Sequence, residues 1–194
     1  MKNQVFFLTL LIAASCTKKH KNELSNENPS IIMDTVTNNN IDKNMKVQLK
    51  EYLQAFNRGD ADKALSYFYP DIFEYARRQY PNDEFDIETF KDTAFIRPVT
   101  LMKELVKEKD IRYEMEVGEI TKKVDYENNK LYVVSTSMTT IIGKDRNTIS
   151  GEVVAVSNDN GKTWKFVQND PSIIRGILKI KFPTKIVNQL LTKD

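Results

Sequence analysis

The sequence predicts an α+β domain, in which N-terminal helices pack on a curved antiparallel sheet. Apolar residues recur at helical spacing up to residue 110, and four strand-like segments separated by short polar turns follow. No internal repeat interrupts this order. Of the 194 residues, the stretch that carries both patterns is about 150 long, which is the size of one domain with one core.

The N-terminus has the organisation of an export signal over residues 1–15. One lysine precedes an apolar run over residues 5–14, which is too short for a comfortable membrane span, and small residues end at Cys16. The letters "AASC" resemble a bacterial lipobox, with Ala13 in place of the usual leucine. That resemblance implies signal removal, acylation of Cys16 and membrane anchoring. The alternatives are a plain secretory signal with an incidental cysteine and a buried N-terminal helix.

Cys16 is the single cysteine, so no disulfide framework is available. Thr17, not an acidic residue, follows it, and by resemblance to Gram-negative lipoproteins this favours the outer membrane, with the domain facing the periplasm. Residues 16–41 are dominated by Asn, Lys, Ser and Glu without sustained periodicity, which predicts a flexible tether. A short strand docked on the domain through residues 30–36 is the alternative.

The domain proper is predicted over residues 42–170 and begins with helices. Asp42 is a plausible N-cap for a helix that Gly59 ends, and Asp60 caps a second helix that Pro70 stops. Residues 71–81 form a helix or turn, Asp86 caps a helix over residues 87–95, and another helix covers residues 99–110.

The strands are predicted over residues 111–127, 130–143, 148–157 and 163–170. The second and third are apolar or small on both faces, which indicates that the outer face of the sheet is covered. A homodimer through that face is one candidate. The other is the C-terminal extension, residues 171–194, whose apolar residues have helical spacing on both sides of Pro183 and are expected to pack on the domain; lying on a membrane is its alternative.

The letters "SNDNGKTW", residues 157–164, match the Asp-box of sialidase-type propellers. A propeller needs several blades of about 40 residues, and this motif occurs once. Asn and Asp side chains that bond their own backbone, with Gly161 at a positive φ, are typical of a turn. The match therefore predicts a β-hairpin turn, with Trp164 packed at the start of the returning strand. An oxygen-only calcium site at residues 158–161 is the less favoured interpretation.

Two segments, "YLQAFNRGDADKALSYFYPDIFEY" (52–75) and "DNGKTWKFVQND" (159–170), resemble the opening and closing elements of the nuclear transport factor 2-like superfamily, also called the cystatin-like cone. The resemblance implies a cone-shaped pocket between helices and sheet. Tyr52 falls where the ketosteroid isomerases of this superfamily keep their oxyanion-stabilising tyrosine, and Phe68 falls near a second pocket tyrosine. The position of their catalytic base is near Ala76, which is not acidic. The candidate pocket residues are Tyr52, Phe56, Phe68 and Tyr75.

The residue inventory argues against several chemistries. The sole histidine, His20, lies outside the domain, so neither a histidine-activated nucleophile nor a zinc site is available there. The near-balanced charge of +2, without a basic stripe, argues against nucleic acid. Glu114 and Glu116 share a strand face with Arg112, which is typical of a solvated face. We therefore predict no catalytic residue, no metal and no cofactor.

The predicted function is a lipid-anchored envelope binding or accessory protein that captures a small apolar ligand or a protein partner without catalysis. Buried aromatics would supply contact area, and tyrosine hydroxyls would orient the ligand. One alternative is a cofactor-free isomerase or dehydratase that uses Tyr52 with a carboxylate, such as Glu74 or Asp170. Another is a structural lipoprotein with a filled core.

Overall fold

A computed structural model describes residues 29–80, 85–109, 111–168 and 170–192. Helices come first, a four-stranded antiparallel sheet follows, and two further helices end the described chain, which confirms the predicted α+β class. The elements are α1 (Pro29–Arg58), α2 (Ala61–Ser66), α3 (Asp71–Gln79), α4 (Ile87–Lys91), α5 (Arg97–Lys109), β1 (Ile111–Tyr126), β2 (Asn129–Ile142), β3 (Asp145–Ser157), β4 (Lys165–Val167), α6 (Pro171–Leu178) and α7 (Thr184–Leu191). A π-helical turn, Asp92–Ile96, joins α4 to α5.

Helix α1 is longer than the sequence pattern predicted. It begins at Pro29, so the predicted tether over residues 16–41 is wrong from Pro29 onward, and Asp42 lies within the helix and does not cap it. Proline suits the first helical turn, and no proline or glycine follows until Gly59, whose φ of +67° ends the helix. Cys16, His20 and the predicted signal segment lie outside the described residues.

Two of the predicted helix caps are confirmed. Asp60 accepts a hydrogen bond from the Lys63 N–H at 3.1 Å, and Asp86 accepts hydrogen bonds from the Glu88 and Thr89 N–H groups at 3.2 and 3.1 Å. These bonds satisfy N–H groups that have no partner within the helix. Local chemistry therefore sets where α2 and α4 begin.

The sheet has the order β1-β2-β3-β4, and its inner face packs on α1. Phe166 of β4 pairs with Ala155 of β3, which pairs with Tyr132 of β2, so all three side chains point towards the helices. Phe166 stacks on Tyr52 of α1, with 5.4 Å between ring centroids. All residues of the core of the described chain lie between Ile41 and Leu191. A chain of residues 17–194 thus contains every core residue of the described ranges.

The Asp-box segment forms the hairpin turn that the sequence predicted, because β3 and β4 on either side of it pair antiparallel. Asp159 accepts hydrogen bonds from the N–H groups of Lys162 and Thr163, and Gly161 has a φ of +89°. Trp164 is buried at the start of the returning strand. The motif is therefore a structural turn in this chain.

Strand β1 carries two irregularities that change which of its residues face inward. Val117 pairs with Thr136 and Ile120 pairs with Val134, although an uninterrupted strand would place residues 117 and 120 on opposite faces. A second register shift, between residues 120 and 122, brings Lys123 opposite Tyr132. The two bulges therefore place Val117, Ile120 and Lys123 on the inner face, which bulges near binding sites commonly do.

The first bulge depends on Gly118 and on the Ser135 hydroxyl of β2. That hydroxyl accepts a hydrogen bond from the Glu119 N–H at 2.9 Å and donates one to the Glu119 carbonyl at 3.2 Å. A Cβ atom at Gly118 would overlap the Ser135 hydroxyl oxygen and lie 3.2 Å from the Ser135 carbonyl oxygen. Residue 118 must therefore be glycine for β1 to keep this bulge.

We expect Gly118→Ala to lower the free energy of unfolding by about 2 kcal/mol, because it overpacks the bulge and disrupts the Ser135 hydrogen bonds. Urea unfolding measures the change. The control is Ser135→Ala, which removes the same hydrogen bonds together with part of the overlap. In the double variant, Gly118→Ala should cost less than it does alone, and equal costs in both backgrounds would contradict the role assigned to Ser135.

The C-terminal extension forms α6 and α7 and packs on its own domain. Its apolar residues Ile177, Leu178, Val187 and Leu190 are buried, and Phe182 packs edge-on against Tyr126 of β1. The Lys122 ammonium donates a hydrogen bond to the Thr192 carbonyl, which places α7 on the outer face of the sheet. This packing explains the apolar character of that face near the β1–β2 turn.

Most of the remaining outer face is polar, although Ile141 of β2 is buried there. Arg112, Glu114 and Glu116 are exposed, as predicted, and Glu114 forms an ion pair with Arg146 of β3 at 2.6 Å. No helix in the described part of the chain is long and apolar enough to cross a membrane.

Candidate functional site

The interior, where the sequence predicted a pocket, is filled by aromatic rings. Tyr52 is only 3% exposed, and its ring centroid lies 5.1 Å from that of Phe56 and 5.4 Å from that of Phe166. Phe68 lies in a second group of rings, and its ring centroid is 4.2 Å from that of Phe95 and 6.5 Å from that of Phe73. These residues contact one another within the core, so their rings are already covered by protein.

Tyr75 lies apart from the other three candidates, at the contact between α3 and α6. A Cβ atom at Gly176 of α6 would overlap the Tyr75 ring, so the two helices approach closely there. The structure thus brings Tyr52 and Phe56 together and places Phe68 and Tyr75 elsewhere in the core.

The carboxylates proposed as partners of Tyr52 are engaged elsewhere. Glu74 binds Arg77 and Arg78 on the surface of α3, and hydrogen bonds from these two guanidinium groups, that of Arg78 first, lower the pKa of Glu74. Asp170 caps α6 by accepting a hydrogen bond from the Ser172 N–H at 2.8 Å. Burial alone raises the pKa of the Tyr52 hydroxyl. The catalytic pair considered from the sequence is therefore not formed in this structure.

A different tyrosine is bonded to a carboxylate. The Tyr67 hydroxyl donates a 2.5 Å hydrogen bond to Glu51, whose other neighbour is the Lys63 ammonium at 3.5 Å. Burial, with a smaller contribution from Glu51, raises the pKa of Tyr67 to about 12, so the hydroxyl stays protonated at neutral pH. Within the described ranges, no group of three or more His, Cys, Asp or Glu side chains is placed to hold a metal ion.

An open groove of about 830 Å³ lies between α1 and β1, which we call the α1–β1 groove. This volume is within the range of small-molecule sites. Its apolar surface comes from Val47 of α1, which is 49% exposed, and from the half-buried Met115, Val117 and Ile120 of β1. Its polar lining residues are Asn39, Asp42, Lys43, Lys46, Lys50, Glu116, Glu119 and Lys123.

Two ion pairs join the walls of the groove. The Lys123 ammonium of β1 lies 2.5 Å from an Asp42 carboxylate oxygen of α1, and the Lys46 ammonium of α1 lies 3.6 Å from Glu119 of β1. The Lys46–Glu119 pair is exposed and can open at small cost, whereas Asp42 is only 23% exposed, so its pair with Lys123 is partly buried. Among the described residues, Lys43 and Lys50 of the helix wall have no acidic partner.

The Asp42–Lys123 pair lies beside Tyr132, which is buried. The Lys123 ammonium is 5.2 Å from the centroid of the Tyr132 ring, within the range of a cation–π contact. Burial raises the pKa of the Tyr132 hydroxyl, and the negative charges of Asp42 and Asp125 raise it further. The Tyr132 hydroxyl therefore remains protonated at neutral pH.

The groove was not predicted, although the sequence contains two signals of it. Lys43, Lys46 and Lys50 have the spacing of one helix face, and Gly118 interrupts an otherwise regular strand, which is typical of a bulge. Neither signal says that the two elements lie side by side.

Comparisons with known proteins identify no family for this chain. No family model matches it, and no curated protein matches it. Among solved structures, it is similar to an LEH-like epoxide hydrolase of M. tuberculosis, with 16% sequence identity, 71% of this chain and 91% of that chain covered, and a TM-score of 0.29. A likeness of this size carries no argument about the fold or activity of this chain, which rest on the contacts above.

Proposed function

We propose that this chain is a binding protein of the cell envelope, with a nuclear transport factor 2-like domain, that captures a small apolar ligand in the α1–β1 groove. The observation that carries the proposal is the contrast between the two candidate sites. The interior rings cover one another, whereas the groove exposes apolar side chains around about 830 Å³ of open space. A ligand can enter the groove without displacing the core.

The anchor and location remain part of this proposal. Acylation of Cys16 would hold the chain on the outer membrane, facing the periplasm, and the residues between Cys16 and Pro29 would connect the anchor to α1. Association with a second copy or an envelope protein is compatible with this role and stays a prediction.

The test uses residues 17–194 in solution, without detergent, and the neutral fluorescent probe N-phenyl-1-naphthylamine. We expect saturable binding that Val47→Asn weakens about fivefold, because the variant removes apolar contact from the groove. The matched control is Leu101→Asn, since Leu101 is 53% exposed and lies outside the groove lining. Absence of saturable binding, or equal loss in both variants, would exclude ligand capture by this groove and direct attention to a protein partner.

A further inference from the structure

We infer that the α1–β1 groove selects anionic amphiphiles, whose carboxylate or phosphate head is bound by Lys43 and Lys50 and whose hydrocarbon tail covers Val47, Val117 and Ile120. The inference rests on the proposed function and adds the chemical class of the ligand. It follows from which charges in the groove already have partners.

The charges that pair across the groove leave a positive excess on its helix wall. Lys46 is paired with Glu119 and Lys123 with Asp42, so four of the seven charged lining residues neutralise one another. Of the rest, Lys43 and Lys50 belong to α1, and Glu116 belongs to the strand wall. An anionic head would therefore be attracted to the helix wall and repelled from the strand wall.

Lys43 and Lys50, which have no acidic partner in the part of the chain that the structure describes, flank the exposed apolar residue of the helix. Val47 follows Lys43 by four residues and precedes Lys50 by three, so the three side chains share one helix face. Lysine stems can lie along apolar surface while their ammonium groups reach water. This arrangement brings two positive charges to the rim of the groove and leaves Val47 between them.

The opposite wall continues the apolar surface. The bulges of β1 place Val117 and Ile120 on the same inner face, where Met115 also lies, and all three are half-buried in the groove. A tail along these side chains and a head at the helix rim is the orientation that satisfies both walls. A neutral apolar molecule would gain the apolar contacts without using the lysines.

The experiment compares 11-(dansylamino)undecanoic acid with its methyl ester, which share the tail and differ in charge, on residues 17–194 at neutral pH. The variant Lys43→Gln/Lys50→Gln should weaken binding of the acid about tenfold and of the ester less than twofold. The matched control, Lys144→Gln/Lys179→Gln, changes the net charge equally at exposed lysines outside the groove and should leave both affinities unchanged. Added salt should weaken binding of the acid alone.

Equal binding of acid and ester by the wild-type chain, or equal weakening of both by Lys43→Gln/Lys50→Gln, would overturn the inference while leaving capture of apolar ligands intact. Binding of neither probe would overturn both proposals. A last arm uses vesicles of phosphatidylglycerol and phosphatidylethanolamine. Vesicle binding that depends on Lys43 and Lys50, without binding of the monomeric acid, would assign these lysines to a membrane surface and would also overturn the inference.

Discussion

Asp159→Ala is expected to lower the free energy of unfolding by about 3 kcal/mol, because this carboxylate accepts four hydrogen bonds within the Asp-box turn. Asp159 accepts hydrogen bonds from the Thr163 N–H and hydroxyl at 2.9 and 2.7 Å, from the Lys162 N–H at 3.1 Å and from the Ser157 hydroxyl at 2.8 Å. Alanine leaves all four donors without this acceptor. Urea unfolding measures the change.

The effect extends beyond the turn because α1 holds the turn from the other side. Asn44 donates a hydrogen bond to the Gly161 carbonyl at 2.7 Å, and Gln48 accepts one from the Trp164 N–H at 2.9 Å. The Trp164 indole N–H in turn donates to the Gly161 carbonyl at 3.1 Å. Loss of the Asp159 carboxylate is therefore expected to weaken both the packing of Trp164 and the hydrogen bonds between the turn and α1.

The same carboxylate makes the free energy of unfolding depend on pH. Partial burial raises the pKa of Asp159, but hydrogen bonds from Thr163, Ser157 and Lys162 outweigh it and hold the pKa below its ordinary value near 3.8. The contribution of Asp159 is thus fully present above pH 3.8 and is lost as pH falls through the lower folded-state pKa.

We therefore expect the stability difference between wild type and Asp159→Ala to be constant from pH 7 to about pH 4.5 and to shrink below that. The matched control is Asp145→Ala, at the exposed first residue of β3, which should change stability by less than about 0.5 kcal/mol at pH 7. A difference that grows on acidification would contradict the bonding assigned to Asp159.

The elements that could be predicted from the sequence are those that local chemistry determines. Asp60 and Asp86 cap the helices that follow them, and Gly161 marks a turn, because each acts on backbone within four residues. The start of α1 was predicted wrongly, because local composition was the only signal there. Polar composition before Asp42 indicated a tether, but nothing in that stretch after Pro29 breaks a helix that the packed residues further along stabilise.

The site could not be predicted, because distant contacts decide it. Periodicity places Tyr52 on the buried face of α1, but whether that face borders a cavity depends on Phe166, which belongs to the last strand and stacks on it. Likewise, the groove exists because β1 bulges at Gly118 and lies beside the lysines of α1. A single sequence shows each element and not their pairing in space.

Tyr52→Ala should lower the free energy of unfolding by about 4 kcal/mol, because it empties the space between Phe56, Tyr67 and Phe166. The control is Tyr80→Ala: Tyr80 is 48% exposed, and its loss should cost less than about 1 kcal/mol. Thermal and urea unfolding of both variants give the comparison.

Tyr52→Phe separates packing from chemistry at the same position. It keeps the ring and removes only the hydroxyl, so we expect a stability change below about 1 kcal/mol and unchanged binding of N-phenyl-1-naphthylamine. If that variant kept its stability but lost ligand binding, the Tyr52 hydroxyl would have to contact the ligand, and the interior would have to open to admit it. The ring centroids of Phe56, Phe166 and Tyr67 lie 5.1–6.4 Å from that of Tyr52. Opening the interior would lose these packing contacts, so we expect it to stay closed. Tyr52 would then stabilise the core, and Lys43 and Lys50 would determine which ligand the groove binds.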